Sequence, residues 1–228
     1  KPFDPRLMMK IAPAVAQAAF DSGVALRPIA DMDAYRDQLQ TFVYASGTMM
    51  KPIFLAAKTA AKKRVAYAEG EEERVLRAAQ IVVDERVARP TLIGRPAVIA
   101  QRIAKFGLRL EEGRDYDVVN VEQDHRYHDF WHSYHRMTER KGITEPIAKI
   151  EMRRRLTLIG SMMLHKGEVD GLIVGTWGHT SHHLNYIDQV IGRRAGVATY
   201  ACMNGLLLPD RQVFLVDTHV NYDPTAEQ

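Results

Sequence analysis

The spacing of apolar residues changes character near residue 63. Before it, apolar positions recur every three to four residues, as at Leu7, Ile11 and Val15, which predicts helices. After it, short apolar runs alternate with helical segments, and strands are predicted at 64–69, 91–94, 117–121 and 171–175. This alternation predicts an α/β fold with a parallel sheet and right-handed crossovers, preceded by a helical tail. We therefore divide the chain into a tail over 1–62 and an α/β domain over 63–228.

Some elements have a more specific prediction. The run at 171–175 is wholly apolar, so we expect a central strand. Apolar periodicity predicts one long helix from Thr144 to about Lys166, and a helix over 180–191. Two further strands are predicted at 197–200 and 213–216.

The two ends of the chain suggest a piece of a longer protein. Asp223 and Pro224 are typical of a helix start, but almost no sequence follows to form the helix. The first residue is Lys1 and not a methionine. We expect the domain to continue beyond Gln228.

Composition narrows the classes of function. The net charge is +3, from 31 basic and 28 acidic side chains, which is too small a surplus to indicate nucleic-acid binding. The single cysteine, Cys202, cannot form an intramolecular disulfide, so we expect a reducing, cytoplasmic location. Apolar runs all fall short of the roughly 20 residues that cross a bilayer, so we expect no membrane partner.

The stretch from Gly175 to His183 follows the apolar strand and begins a helix. Free backbone N–H groups at a helix start attract anions, and the first turn here has hydroxyls and imidazoles where carboxylates could stand. His179, Thr180 and Ser181 are therefore candidate contacts for a phosphate or pyrophosphate. An ordinary loop with Thr180 as the helix cap explains the same residues equally well, because this spacing is not diagnostic.

Two other turns follow predicted strands. At the first, Glu71, Glu72 and Glu73 would repel an anion, so we expect Gly70 to permit the turn and the carboxylates to stabilise the helix. At the last, Asp217 and Asn221 follow an apolar strand, and their position suits a second wall of the same cleft.

Four histidines lie close together in the sequence: His125, His128, His132 and His135. No carboxylate or cysteine stands at a familiar spacing from these histidines, where it could complete a tetrahedral set of metal ligands. Three aromatic residues are interleaved with them: Phe130, Trp131 and Tyr134. We therefore favour a surface helix with aromatic anchors and predict no metal site and no catalytic residue in this chain.

Several blocks of sequence resemble known families. Those similar to the carboxyl end of bacterial malic enzymes are 1–7, 11–16 and 21–25, and those similar to phosphate acetyltransferases are 68–79, 169–175 and 221–228. Together they cover nearly the whole chain in family order. The sequence thus resembles the hybrid malic enzymes of bacteria, which carry a fused phosphotransacetylase-like domain.

The resemblance implies a function for the complete protein. Hybrid malic enzymes oxidatively decarboxylate malate to pyruvate and CO2 with NADP and Mg or Mn, and the residues for these groups would lie upstream of Lys1. The phosphotransacetylase-like domain implies acetyl-CoA as an effector, bound in a cleft between two α/β subdomains, and a homo-oligomer (a dimer or hexamer). The family's catalytic Ser, Arg and Asp would lie downstream of Gln228.

Three hypotheses follow for this portion of the protein. In the first it is a module that binds acetyl-CoA and regulates the malic site, with His179, Thr180 and Ser181 on the phosphate or acyl group and Asp217 and Asn221 opposite. In the second it is an active phosphate acetyltransferase, and in the third a purely structural oligomerisation domain. The family's post-strand stretch usually has paired threonines before an apolar-Arg-Pro helix, whereas here 180–185 departs from that pattern, which favours a modified, regulatory site.

Overall fold

The computed structural model describes residues 5–27, 29–43, 47–208 and 211–225. Within these ranges a short 3-10 helix covers Glu139–Lys141. The helices and strands are α1 (Pro5–Asp21), α2 (Met32–Val43), α3 (Gly47–Thr59), β1 (Lys63–Tyr67), α4 (Glu73–Asp84), β2 (Ala88–Gly94), α5 (Pro96–Lys105), β3 (Asp117–Asn120), α6 (Tyr127–Thr138), α7 (Glu145–Arg154), α8 (Leu156–His165), β4 (Gly171–Ile173), α9 (Thr180–Val190), β5 (Met203–Leu207) and β6 (Gln212–Val216).

Four strands form a parallel sheet in the order β3-β2-β1-β4, which confirms the predicted α/β fold. The central position predicted for β4 is wrong. Among the described strands β4 pairs with β1 only, and Ile173 at its end is 51% exposed. An apolar run indicates that a strand is covered on its faces, but its place in the sheet depends on which backbone it pairs with, and composition does not encode that.

Apolar side chains cover both faces of the sheet. Consecutive residues in a strand point to opposite faces, so Tyr67 and Leu92 pack with α4 and α5, while Ala66 and Ile93 pack with α6 to α9. Leu76 of α4 packs against the first of these faces and is fully buried. The sheet is therefore a middle layer with a hydrophobic core on each side.

The long helix predicted from Thr144 to Lys166 is two helices. At Arg155 the backbone is extended, with φ −107° and ψ 94°, and this residue separates α7 from α8. Residues 157–163 of α8 are all buried, whereas α7 buries only Ala148 and Met152. The break lets two helices of different amphipathicity pack separately, and neither proline nor glycine marks it in the sequence.

The carboxyl-terminal strands also differ from the prediction. Residues 197–200 form no strand, and the strand before the turn is β5, at Met203–Leu207. β5 and β6 make a two-stranded sheet of their own, separate from the parallel sheet. Residues 223–225 are not helical, and the rest of the helix predicted to start at Asp223 lies outside the described residues.

The chain divides into two compact units. One comprises Lys1–Ala56 with Met203–Leu215, and the other Ala57–Cys202 with Val216–Gln228. In the first unit α1 packs against α2; the second contains the parallel sheet. The boundary proposed at 62/63 stays a prediction. Helices long and apolar enough to span a membrane are absent from the described part of the chain.

Candidate ligand site between the ends of β1 and β4

The order of the parallel strands reverses direction once. The chain steps from β1 to β2 to β3 on one side and then returns to place β4 on the other side of β1. The loops that leave β1 and β4 consequently run to opposite faces of the sheet, the first into α4 and the second into α9. Such a reversal opens a crevice at the carboxyl ends of the two strands, and ligands of open α/β sheets bind there.

Hydrogen bonds hold the two loops together across this crevice. The Ala68 N–H donates to the Ile173 carbonyl at 3.0 Å, which extends the pairing of β1 with β4. One residue on, the Glu69 carboxylate accepts from the Gly175 N–H at 3.1 Å. Glu69 thus fixes the start of the β4–α9 loop, residues 174–179, although the two residues lie 106 positions apart in sequence.

The β4–α9 loop turns through two left-handed glycines and is braced by His183. Gly175 has φ 110° and Gly178 has φ 96°, a region that favours glycine. His183 Nε2 lies 2.6 Å from the Trp177 carbonyl oxygen, and its Nδ1 lies 2.7 Å from Thr157 Oγ1 on α8. Because a carbonyl can only accept, Nε2 carries the proton, and in the neutral ring the Thr157 hydroxyl donates to Nδ1.

The first turn of α9 is open to an anionic group. His179, and not Thr180, occupies the cap position: its backbone is extended and its side chain makes no cap hydrogen bond. The first turn of α9 contains no acidic residue. His179, Thr180 and Ser181 are all exposed. The first N–H groups of a helix have no partner within it, so they are available to a ligand together with these side chains.

The corresponding turn after β1 is closed by carboxylates, as predicted. Glu72 caps α4 by accepting from the Arg74 N–H, and Glu73 lies in the first helical turn. Glu71 instead forms a two-point ion pair with Arg95 at the end of β2, at 2.8 Å for Arg95 Nε and 2.8 Å for Arg95 Nη2. These hydrogen bonds hold the pKa of Glu71 below its ordinary value.

Comparison with known proteins assigns the family. A family model described as phosphate acetyl/butaryl transferase matches residues 48–228. The chain belongs to this family. A phosphotransacetylase from Streptococcus pyogenes has the same fold, with a TM-score of 0.68 at 19% identity over 78% of this chain and 54% of that one.

Longer proteins match over the full length of the chain. The NADP-dependent malic enzyme of Salmonella typhimurium is 50% identical over 228 residues, and the NAD-dependent malic enzyme of Rhizobium meliloti is 48% identical over 227 residues. In both cases the match covers 100% of this chain and 30% of the relative. The chain therefore spans under a third of the length of the malic enzymes that it matches.

Asp217 and Asn221, predicted as the opposite wall of the cleft, are engaged with their own loop. Asp217 has φ 56°, and its carboxylate accepts from the backbone and side-chain N–H groups of Asn221, which lower its pKa. Asn221 also donates to the Tyr200 carbonyl at 2.7 Å. Tyr200 in turn donates to Asp188, about 12 Å along α9 from its start. The structure shows no contact between this network and His179. That Asp217 and Asn221 line the same ligand cleft as His179 therefore stays a prediction.

The histidine-rich helix has the aromatic anchors that the sequence predicts. Phe130, Trp131 and Tyr134 of α6 are buried, at 2%, 7% and 0% exposure. His128 and His132 are exposed and stack with ring centroids 6.1 Å apart. The described residues contain no group of three or more histidine, cysteine or carboxylate side chains that is arranged to hold a metal ion.

Sequence reasoning missed several residues that shape the site. Arg74 lies over the Trp177 ring, and Glu69, Thr157 and His183 fix the loop that carries it. Each of these contacts except that of His183 with Trp177 joins segments distant in the chain. Local pattern gives no signal for them, because they arise from the pairing of β1 with β4 and from the packing of α9 against α8.

Proposed function

We propose that this chain is part of a malic enzyme that converts malate to pyruvate and CO2. Support comes from the identity of about half of all residues with two malic enzymes over its whole length. The divalent metal, Mg or Mn, and the nicotinamide coenzyme would be bound by parts of the protein outside this chain. We propose NADP as the coenzyme, although the relatives at nearly equal identity include both NADP- and NAD-dependent enzymes by name.

We further propose that this portion binds acetyl-CoA and thereby regulates malic activity. The observation that carries this proposal is the start of α9, which lies where the strand order reverses between β1 and β4 and has neither a side-chain cap nor a carboxylate in its first turn. The free N–H groups there, with the Thr180 and Ser181 hydroxyls and the His179 imidazole, suit a phosphate or an acyl oxygen. A role in oligomerisation is proposed from the family resemblance alone.

Regulation requires that acetyl-CoA bind two states of the enzyme with different affinity. Coupling between distant sites is typically about 1–3 kcal/mol, which changes an affinity by roughly 5- to 150-fold. The Gly175–Gly178 turn is held from β1 by Glu69 and from α8 by Thr157 through His183. Contacts from two elements make this loop a suitable place for a ligand to act on the sheet and the helices together.

The test uses the full-length enzyme. Acetyl-CoA is expected to inhibit malate-dependent reduction of the coenzyme. The double substitution Thr180→Ala with Ser181→Ala is expected to raise the inhibitory concentration of acetyl-CoA roughly tenfold or more. Each lost hydrogen bond to a charged group is worth about 1.5–3 kcal/mol. Thr144→Ala is the matched control. Thr144 is likewise a threonine at the start of a helix, where it occupies the cap position of α7 without a side-chain cap hydrogen bond.

Three results would contradict the regulatory proposal. Malic activity that does not respond to acetyl-CoA would remove the effector. An unchanged response in the double variant would remove the α9 site. Consumption of acetyl phosphate in the presence of CoA by the same preparation would assign an active transferase to this portion instead.

A further inference from the structure

Trp177 is exposed, while the backbone that carries it is braced. Its side chain is 64% exposed, in the middle of the β4–α9 loop. Its carbonyl bonds to His183, which bonds in turn to Thr157 on the buried helix α8, and the glycine that follows it has φ 96°. A large aromatic side chain in solvent is normally free to move, whereas the backbone under this one is braced by the core of the domain.

The indole also lies close to a residue from the turn that follows β1. Arg74 belongs to the first turn of α4, which follows β1, and its guanidinium carbon lies 5.8 Å from the centroid of the Trp177 ring. A cation at this distance over an indole ring is an attractive interaction. Arg74 and Trp177 thus connect the turn that follows β1 with the loop that follows β4. The Arg74 guanidinium also pairs with the Glu72 carboxylate, with Nε 3.3 Å from Oε1, but the Arg74 side chain is 69% exposed, so a ligand phosphate can still reach it.

This pair has the chemistry that recognises a nucleotide. An exposed indole on a braced loop can stack on a purine or pyrimidine base, and a nearby guanidinium can pair with phosphate. We propose that Trp177 is the stacking platform for the purine ring of a nucleotide thioester, and that Arg74 faces its phosphates. This inference rests on the proposed binding of acetyl-CoA and assigns the residue that recognises its nucleotide half.

The test separates the nucleotide from the thioester arm. Binding of acetyl-CoA and of S-acetyl-4′-phosphopantetheine, which keeps the arm and lacks the nucleotide, is measured by calorimetry on the full-length enzyme. Trp177→Ala is expected to weaken acetyl-CoA binding roughly 5- to 150-fold, the usual effect of losing one stacked base, and to leave phosphopantetheine binding unchanged. Trp177→Phe should retain most of the affinity, whereas Trp177→Leu, which keeps apolar bulk without a π-face, should lose it.

The outcomes distinguish this inference from the proposed function. Equal weakening of both ligands by Trp177→Ala would show that the indole supports the loop as a whole, which overturns the stacking role and leaves acetyl-CoA binding intact. Equal affinity of the Leu and Phe variants for acetyl-CoA would also overturn it. A wild-type enzyme that binds neither ligand would refute the proposed function, and the stacking role with it.

Discussion

Replacing Gly70 with alanine tests how closely the first strand-to-helix turn packs against β2. Gly70 is buried, and its N–H donates to the Ile93 carbonyl at 3.1 Å. A Cβ atom at this position would lie 2.9 Å from the backbone N and O atoms of Ile93 and 2.9 Å from Leu92 Cβ. Because β2 is paired on both sides, by β1 and by β3, these backbone atoms cannot move without disturbing the sheet.

The expected loss of stability follows from this geometry. Overfilling a packed core costs about 1–3 kcal/mol, and obstruction by backbone atoms places Gly70→Ala toward the upper end of that range. Removing a glycine from the unfolded chain offsets about 0.4–1 kcal/mol. A net loss of about 2 kcal/mol in the free energy of unfolding lowers the melting temperature of a domain of this size by roughly 4–8 °C.

The assay is thermal unfolding of the full-length protein, with Gly171→Ala as the matched control. Gly171 lies in β4 of the same sheet, and a Cβ there would meet its nearest neighbour, Val65 Cγ2, at an ordinary 3.9 Å. We expect Gly171→Ala to change the melting temperature by less than about 2 °C. Equal melting temperatures for the two variants would refute the argument that close approach to β2 is what requires glycine at position 70.

Two further predictions concern the strand ends and the loop. Hydrogen bonds from Arg95 lower the pKa of Glu71 from its ordinary 4.5, so the stability they add is present above that value and is lost as the pH falls through the folded-state pKa. Glu71→Gln should melt below wild type at pH 7, by a difference that shrinks as the pH is lowered below 4.5, and a difference independent of pH would contradict this. His183→Leu should speed amide hydrogen exchange at 175–178 roughly tenfold by removing the donor to the Trp177 carbonyl. His183→Gln, which keeps a donor, should speed it less, and equal exchange in both variants would argue against the brace.

Some expectations failed because they depend on pairing over long distances. β4 has the composition of an internal strand, yet among the described strands it has one neighbour, β1. β6 has an apolar sequence too, and it pairs with β5 outside the parallel sheet. Asp217 then follows a strand that does not belong to that sheet, so the topology does not support the sequence argument for a second wall at the same edge, and that wall stays a prediction.

By itself, the sequence determined the local elements and the chemistry of their ends. Periodicity located β1, β2, β3 and α9, because alternation and helical spacing are set by neighbouring residues. The absence of carboxylates from the first turn of α9, and their presence at α4, could likewise be read directly from the residues.

Only the tertiary structure decided where these ends meet. The return of the chain from β3 to the far side of β1 puts the α4 and α9 turns on either side of one crevice. Glu69 then reaches Gly175, and Arg74 reaches Trp177, across about a hundred residues of sequence. The energy of such contacts depends on the whole sheet being assembled, so no local pattern of residues could reveal them.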